Sequence, residues 1–231
     1  MERSSPCVVR ASLADQAEAA AGGAPDLAIA LGANLPSPAG PPLATLLAVR
    51  PLLARVLADW QAAFCRPAPG AGGRLIWSPL FRTAPVGGPA DQPAYLNAVL
   101  LVRGAGSPGC AAACALLERL HQLERRFGRQ RREPWGPRSL DLDLLWWGRL
   151  RCRGGDLELP HPRWRQRAFV LAPLAAIAAA PPRPEAPTTC AARQICAPLT
   201  GEHLAEALAA ALAAADEPAP LRLAGRPGWP D

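Results

Sequence analysis

Residues Ser139 to Leu145 read Ser-Leu-Asp-Leu-Asp-Leu-Leu, an alternation of apolar and polar side chains. Such a pattern holds together on a β-strand, where successive side chains point to opposite faces. It predicts a half-buried strand with Leu140, Leu142 and Leu144 turned to a core and Asp141 and Asp143 sharing the other face with Ser139. Two carboxylates so spaced have Cα atoms roughly 6.5–7 Å apart. A pair of divalent cations about 3.5–4 Å apart fits between them. Taken alone, the pattern equally describes the solvated side of an amphipathic strand, because short motifs are weak signals. The surroundings argue for chemistry: Arg129, Arg131, Arg132 and Arg138 lie just upstream. Carboxylates for a cation and guanidinium forks for phosphate oxygens are what a metal-bound polyphosphate requires.

The chain has 231 residues, half of them hydrophobic, which is enough for one ordinary domain with extensions and a core without disulfides. All 25 basic residues are arginine. The absence of lysine excludes a P-loop, whose phosphate cradle ends in Lys-Ser/Thr, and it excludes a Schiff-base or general-base lysine. A formal charge of +6 suits nucleic acid and small anionic substrates alike. The seven cysteines are odd in number and contain no C-x-x-C, which argues against a disulfide framework or a zinc ribbon. A reducing cytoplasm is the simplest expectation. No apolar run has the length of a signal peptide or a membrane span.

Residues 1–25 read as a disordered extension, residues 26–180 as the functional domain, and residues 181–231 as a Pro/Ala-rich tail with one short helix and a frayed end. Within the domain, Leu27 to Leu31 form a buried strand leaving through Gly32-Ala33-Asn34-Leu35. Leu43, Leu46, Leu47, Leu53, Leu57, Trp60 and Phe64 recur at helical spacing, with Pro51 expected to kink or split the helix. Leu75 to Arg82 form a strand in which Pro79 predicts an edge position or a bulge. After a long Pro/Gly loop, Tyr95 to Val102 form a strand with Tyr95, Asn97 and Val99 on one face. Asparagine is unfavourable mid-strand, so Asn97 is expected to bond a loop or a ligand. Pro108 to Phe127 form a second helix closed by Gly128. Glu124 opposes the dipole near that helix's end, which a salt bridge to Arg125, Arg126 or Arg129 would explain. Strand–helix–strand–strand–helix–strand is the order of a split βαβ unit. It predicts an α+β, ferredoxin-like antiparallel sheet with helices on one face and long mobile loops over the other.

Several stretches together resemble the 6-hydroxymethyl-7,8-dihydropterin pyrophosphokinases of folate biosynthesis: LGANL (31–35), FRTAPVG (81–87), DQPAYLNAV (91–99), QLERRFGRQR (122–131), WGPRSLDLDLL (135–145), LPHPR (159–163) and RAFVLAPL (167–174). The resemblance covers about residues 27–178, and the WGPR-x-L-D-L-D segment followed by PHPR is its most specific part. It implies pyrophosphoryl transfer from the co-substrate ATP to the pterin hydroxymethyl oxygen, with release of AMP and two Mg²⁺ ions held by Asp141 and Asp143. By the same resemblance Asp141, Asp143, Arg129 and Arg138 are catalytic. Thr83, Val86, Tyr95, Asn97, Trp135, Asp141 and Phe169 bind the pterin, with Tyr95 and Phe169 stacking on it. Glu124, Arg129, Arg131, Arg138, Leu144, His161 and Arg167 lie on the ATP side. The segments around 84–93 and 128–137 would serve as lids. Ala33, Ala84 and Pro134 depart from the family pattern, where serine, proline and arginine usually stand. The family is often monomeric, and the resemblance implies no nucleic-acid or membrane partner.

The rival from another class is a non-enzymatic RNA-binding module of the same topology. It needs an aromatic RNP1-type strand, which the chain lacks, and a sheet face free of acids. A degenerate, inactive family member is the third reading, and the intact acids and His161 argue against it.

Overall fold

Seven consecutive buried residues, Leu27–Ala33, form the strand β1. A strand covered on both faces reads as a continuous apolar run rather than an alternation. β1 extends through Gly32 and Ala33, which the sequence had placed in a turn. It pairs antiparallel with β4 (Tyr95–Arg103) on one side and β5 (Asp141–Trp147) on the other. The protein is described by a computed structural model over residues 25–65, 74–89, 91–129, 136–180, 201–214 and 218–230.

Beyond β4 lie β2 (Arg74–Trp77) and β3 (Leu80–Thr83), both antiparallel to it. Trp77 sits opposite Leu100 and Phe81 opposite Asn97. Four steps along one chain against three along its partner leave one extra residue, the bulge expected at Pro79. Ser78 holds the bulge: its N–H donates to Val99 O (2.9 Å) and its Oγ accepts the Val99 N–H (2.9 Å). A separate hairpin, β6 (Cys152–Gly154) and β7 (Leu157–Leu159), follows β5.

Helices α1 (Pro42–Phe64) and α2 (Cys110–Arg126) cover one sheet face. Pro51 does not split α1. A proline inside a helix costs about 3 kcal/mol. Leu46 and Val49 before it and Leu53, Leu57 and Trp60 after it are fully buried. Each such side chain contributes about 1.5–3 kcal/mol, so the stripe outweighs the defect. The Trp60 indole N–H donates to Ala112 O (2.8 Å) and ties the two helices together. Gly128, at φ +78°, ends α2 as its position predicted.

The opposite face is not left to loops. Half of it carries α3 (Ala168–Ala179) and α4 (Gly201–Ala214). Val170, Leu171, Leu174 and Leu204 form a second core with Val99, Leu101, Leu145 and Trp146. β1 and β4 are apolar on both faces, so neither face can be left to water. The chain end is not frayed either. β8 (Leu221–Leu223) pairs with β3, giving the order β5-β1-β4-β3-β8, and Trp229 is buried at 6% exposure. The architecture is α+β, an antiparallel sheet with helices on both sides. Residues 1–24 and 181–200, read as an extension and the start of a tail, lie outside the described residues. Among the described residues no helix is long and apolar enough to cross a membrane.

Candidate active site

The half of the sheet left uncovered by α3 and α4 is where β5, β1, β4 and β3 bring one row of residues level. Asp141 lies opposite Gly32, Gly32 opposite Asn97, and Asn97 opposite Phe81. Directly paired residues share a face, so Asp141 and Asn97 flank Gly32 on one surface. A Cβ on Gly32 would stand 2.8 Å from Asn97 Oδ1 and 3.9 Å from Asp141 Cβ. Glycine there is what allows the acid and the amide to approach the same floor. The next step along β5 places Asp143 opposite Ala30. Above this floor opens a cavity of about 240 Å³.

Nine of the residues anticipated from the sequence line that cavity: Thr83, Val86, Tyr95, Asn97, Arg138, Asp141, Asp143, Arg167 and Phe169. Asn97 Nδ2 donates to Thr83 Oγ1 at 2.7 Å, which resolves the unfavourable strand asparagine. The Tyr95 hydroxyl donates to Gly136 O (3.2 Å), and burial pushes its phenol pKa up. Phe169 stands in the first turn of α3, with the Arg167 guanidinium 5.3 Å from its ring centre.

Each acid is met by arginine. Arg138 pairs with Asp141 Oδ2, Arg129 Nη1 lies 2.8 Å from Asp141 Oδ1, and Arg167 Nη1 lies 3.2 Å from Asp143 Oδ2. Burial, reinforced by Asp143, raises the Asp141 carboxyl above its usual range against the pull of Arg129 and Arg138. Asp141 Oδ1 is a buried oxygen that accepts no aligned hydrogen bond. Among the described residues no group of three or more His, Cys, Asp or Glu could hold a metal. The donor set is therefore two hard carboxylates, which suits Mg²⁺: that ion prefers one or two carboxylates and completes its shell with water and phosphate oxygens.

Four anticipated residues stand outside the cavity lining. Glu124 is 2% exposed; its Oε1 accepts the Leu142 N–H (2.8 Å) and pairs with Arg129. It anchors Arg129 and β5 rather than facing a ligand, so the salt-bridge explanation for its place near the helix end holds. Arg129 bridges Glu124 and Asp141 through Nη1. Leu144 packs into the core under α1 and α2, because the period of two that turns Asp143 to the cavity turns Leu144 away. His161 hangs on the edge of β5 through its N–H to Leu145 O (2.7 Å). The Arg163 N–H donates to His161 Nδ1 (3.2 Å), which puts the ring proton on Nε2. Burial, with Arg167 and Arg163 nearby, lowers the His161 pKa to about 4. Arg131 and Trp135 lie outside the described residues.

Sequence reasoning missed Arg163 and Gln166, which line the mouth of the cavity from the short turn Trp164–Gln166 and its flank. The PHPR run carried a signal for Arg163; Gln166 had none. It also undervalued Asn34, whose Oδ1 accepts the Arg138 N–H (2.7 Å) and whose Nδ2 donates to Pro93 O (3.1 Å). That side chain ties together the segments leading into β4 and β5.

Comparison with known proteins agrees with this geometry. An enzyme of Synechocystis sp. named 2-amino-4-hydroxy-6-hydroxymethyldihydropteridine pyrophosphokinase is 45% identical over 87 residues, 38% of this chain and 42% of the relative. The protein of the same name from Bacillus subtilis is 41% identical over 100 residues, 43% of this chain and 56% of the relative. An Arabidopsis thaliana protein named folate synthesis bifunctional protein, mitochondrial, is 45% identical over 95 residues, 41% of this chain and 16% of the relative. The chain thus aligns with about half the length of the first two. A family model described as 7,8-dihydro-6-hydroxymethylpterin-pyrophosphokinase (HPPK) matches residues 28–179, which hold every strand and side chain that builds the cavity. With two acids, their arginines and the Thr83–Asn97 edge all inside that matched stretch, the chain belongs to the 7,8-dihydro-6-hydroxymethylpterin-pyrophosphokinase family.

Proposed function

We propose that this protein transfers the pyrophosphoryl group of ATP to the hydroxymethyl oxygen of 6-hydroxymethyl-7,8-dihydropterin. The products are AMP and the pterin diphosphate, a step in folate biosynthesis. The observation that carries this reading is one cavity in which Asp141 and Asp143 on β5 lie across β1 from Asn97 on β4, with Thr83 on β3 beyond it and Tyr95 and Phe169 alongside. A flat heterocycle with an amide-like edge fits the aromatic side of that cavity. Phe169 and Tyr95 offer faces for stacking, while Asn97 and Thr83 offer donors and acceptors to the edge. The hydroxymethyl arm would then extend along the floor over Gly32 toward Asp141.

In the reaction the hydroxymethyl oxygen forms a bond to the β-phosphorus of ATP. The bond from that phosphorus to the oxygen bridging the α and β positions breaks, AMP leaves, and the hydroxyl proton is released to water. Transfers of this kind depend on positioning and on stabilising charge rather than on covalent help from the protein. Two Mg²⁺ ions, held by Asp141 and Asp143, would neutralise charge on the triphosphate and lower the pKa of the hydroxyl when bound. Without substrate the arginines are occupied by the acids. Arg129, Arg138 and Arg167 would turn to phosphate oxygens as the carboxylates take the cations. His161 Nε2–H and Arg163 would serve as further donors to the phosphate oxygens. By resemblance Arg131 and Trp135 complete the two ligand sites.

The strand order β5-β1-β4-β3 with α1 and α2 as crossovers supports a ferredoxin-like reading. The segments 84–93 and 128–137 would close as lids that exclude water. We expect a monomer acting on small molecules in the cytoplasm, a setting that suits the free thiols of Cys65 and Cys110. The RNA-binding alternative finds no support. Its stacking face carries two carboxylates and is half covered by α3 and α4.

The test is AMP release from ATP and Mg²⁺ with and without 6-hydroxymethyl-7,8-dihydropterin. Pterin-dependent AMP without ADP is expected. ADP as the product, or nucleotide hydrolysis indifferent to pterin, would overturn the proposal.

A further inference from the structure

We infer that Trp229 is a positioning residue for the pterin edge of the cavity, acting through the register of β3. The inference deepens the functional reading above and rests on it. Trp229 lies beyond the family-matched stretch, which ends at residue 179, and its ring does not line the cavity. Its indole N–H donates to Ser78 O at 2.8 Å. Ser78 stands next to the bulge residue Pro79 between β2 and β3, and it is fully buried. Val99 holds the bulge from one side through the Ser78 N–H and Oγ, and Trp229 holds it from the other through the carbonyl.

That bulge decides which way β3 faces. With it, Phe81 falls opposite Asn97 and Thr83 opposite Tyr95, so Thr83 Oγ1 meets Asn97 Nδ2 in the cavity. A slip of one residue would turn Thr83 to the other face of the sheet. Trp229 is itself firmly placed. The Arg50 guanidinium sits 5.1 Å from the ring centres of both Trp77 and Trp229, Arg50 Nη1 donates to Gly228 O, and β8 just upstream pairs with β3. This clasp joins α1, β2 and the chain end around the bulge. It has no contact with Asp141, Asp143 or their arginines. Its loss should therefore be felt at the Thr83–Asn97 edge and not at the charged end.

Two variants separate positioning from simple stability. Trp229→Phe keeps a ring for Arg50 and removes only the indole donor, whereas Trp229→Ala removes both. With folding checked by far-UV circular dichroism, Trp229→Phe should weaken 6-hydroxymethyl-7,8-dihydropterin binding about fivefold, the worth of one neutral hydrogen bond. Binding of a non-hydrolysable ATP analogue with Mg²⁺ should stay unchanged. The Asn97 side-chain amide resonances in a ¹⁵N–¹H spectrum should shift, and Trp229→Ala should exceed Trp229→Phe in each respect. Unchanged pterin affinity and unchanged Asn97 resonances in Trp229→Phe would overturn the inference, as would equal losses for both ligands. If the wild-type protein makes no pterin-dependent AMP, the functional reading fails. The Asn97 resonances still report on whether Trp229 sets that edge.

Discussion

The two ends of the cavity are built on opposite principles. At one end, three arginines neutralise Asp141 and Asp143, and two of them, Arg129 and Arg138, come from the stretch joining α2 to β5 rather than from a strand. At the other, neutral groups are set by the sheet: Thr83 on β3, Tyr95 and Asn97 on β4, and Phe169 in the first turn of α3. At the charged end both acids are ion-paired with arginines, so ligand binding there must exchange ion pairs. The neutral end has its shape before any ligand arrives. Loops can supply mobile cations, but the spacing of an amide, a hydroxyl and two rings demands a rigid frame.

The comparison breaks most visibly at the acids. Asp141→Ala or Asp143→Ala should reduce turnover by about a hundredfold or more, the scale on which a group stabilising developing charge acts. The fold and most of the pterin affinity should survive. Steady-state AMP release beside a pterin titration checks this, and near-normal turnover in either variant would remove the metal assignment.

A smaller effect is expected at the aromatic end. Phe169→Ala should weaken pterin binding about tenfold or more through lost stacking and burial, while the ATP analogue binds almost as before. Equal losses for the two ligands in calorimetry would mean that the ends are not separable in the way described.

The smallest effect sharpens the boundary between the ends. The His161 pKa is about 4 in the folded protein against 6.5 for an ordinary imidazole. The unfolded chain therefore takes up this proton first as the pH falls. The residue costs nothing above the ordinary value, and stability declines progressively as pH drops from 6.5 toward 4. His161→Asn keeps an acceptor for the Arg163 N–H but does not titrate. Urea midpoints should show the wild type losing ground to this variant between neutral pH and about pH 5. An unchanged gap would show that His161 already titrates like an exposed imidazole.

Much of the charged end was legible in the chain. The alternation around Asp141 and Asp143 determined their shared face because strand side chains have a period of two, and the same period condemned Leu144 to the core. The bulge at Pro79 and the stop at Gly128 were legible for equally local reasons. The split allowed for at Pro51 does not occur, because a helix-breaking propensity is a local cost, whereas the buried stripe that outweighs it exists only once α1 meets the sheet. The salt bridge of Glu124 to Arg129 was legible from its place near the helix end, whereas its bond from the Leu142 N–H exists only once α2 approaches β5.

By itself, then, the sequence determined the order of the central strands and of the two helices that pack on them, the face of each acid and the polar groups available to an anionic or flat polar partner. These follow from periodicity and from side-chain chemistry, which act over a few residues. Tertiary structure alone decided three other matters: that helices would cover both faces, that the chain end would return to clasp Ser78 through Trp229, and that each acid would find its arginine. Apart from the local Arg138–Asp141 pair, these contacts join residues far apart in the chain. Their geometry depends on sheet register and on burying two apolar faces at once, and no short window of sequence contains either.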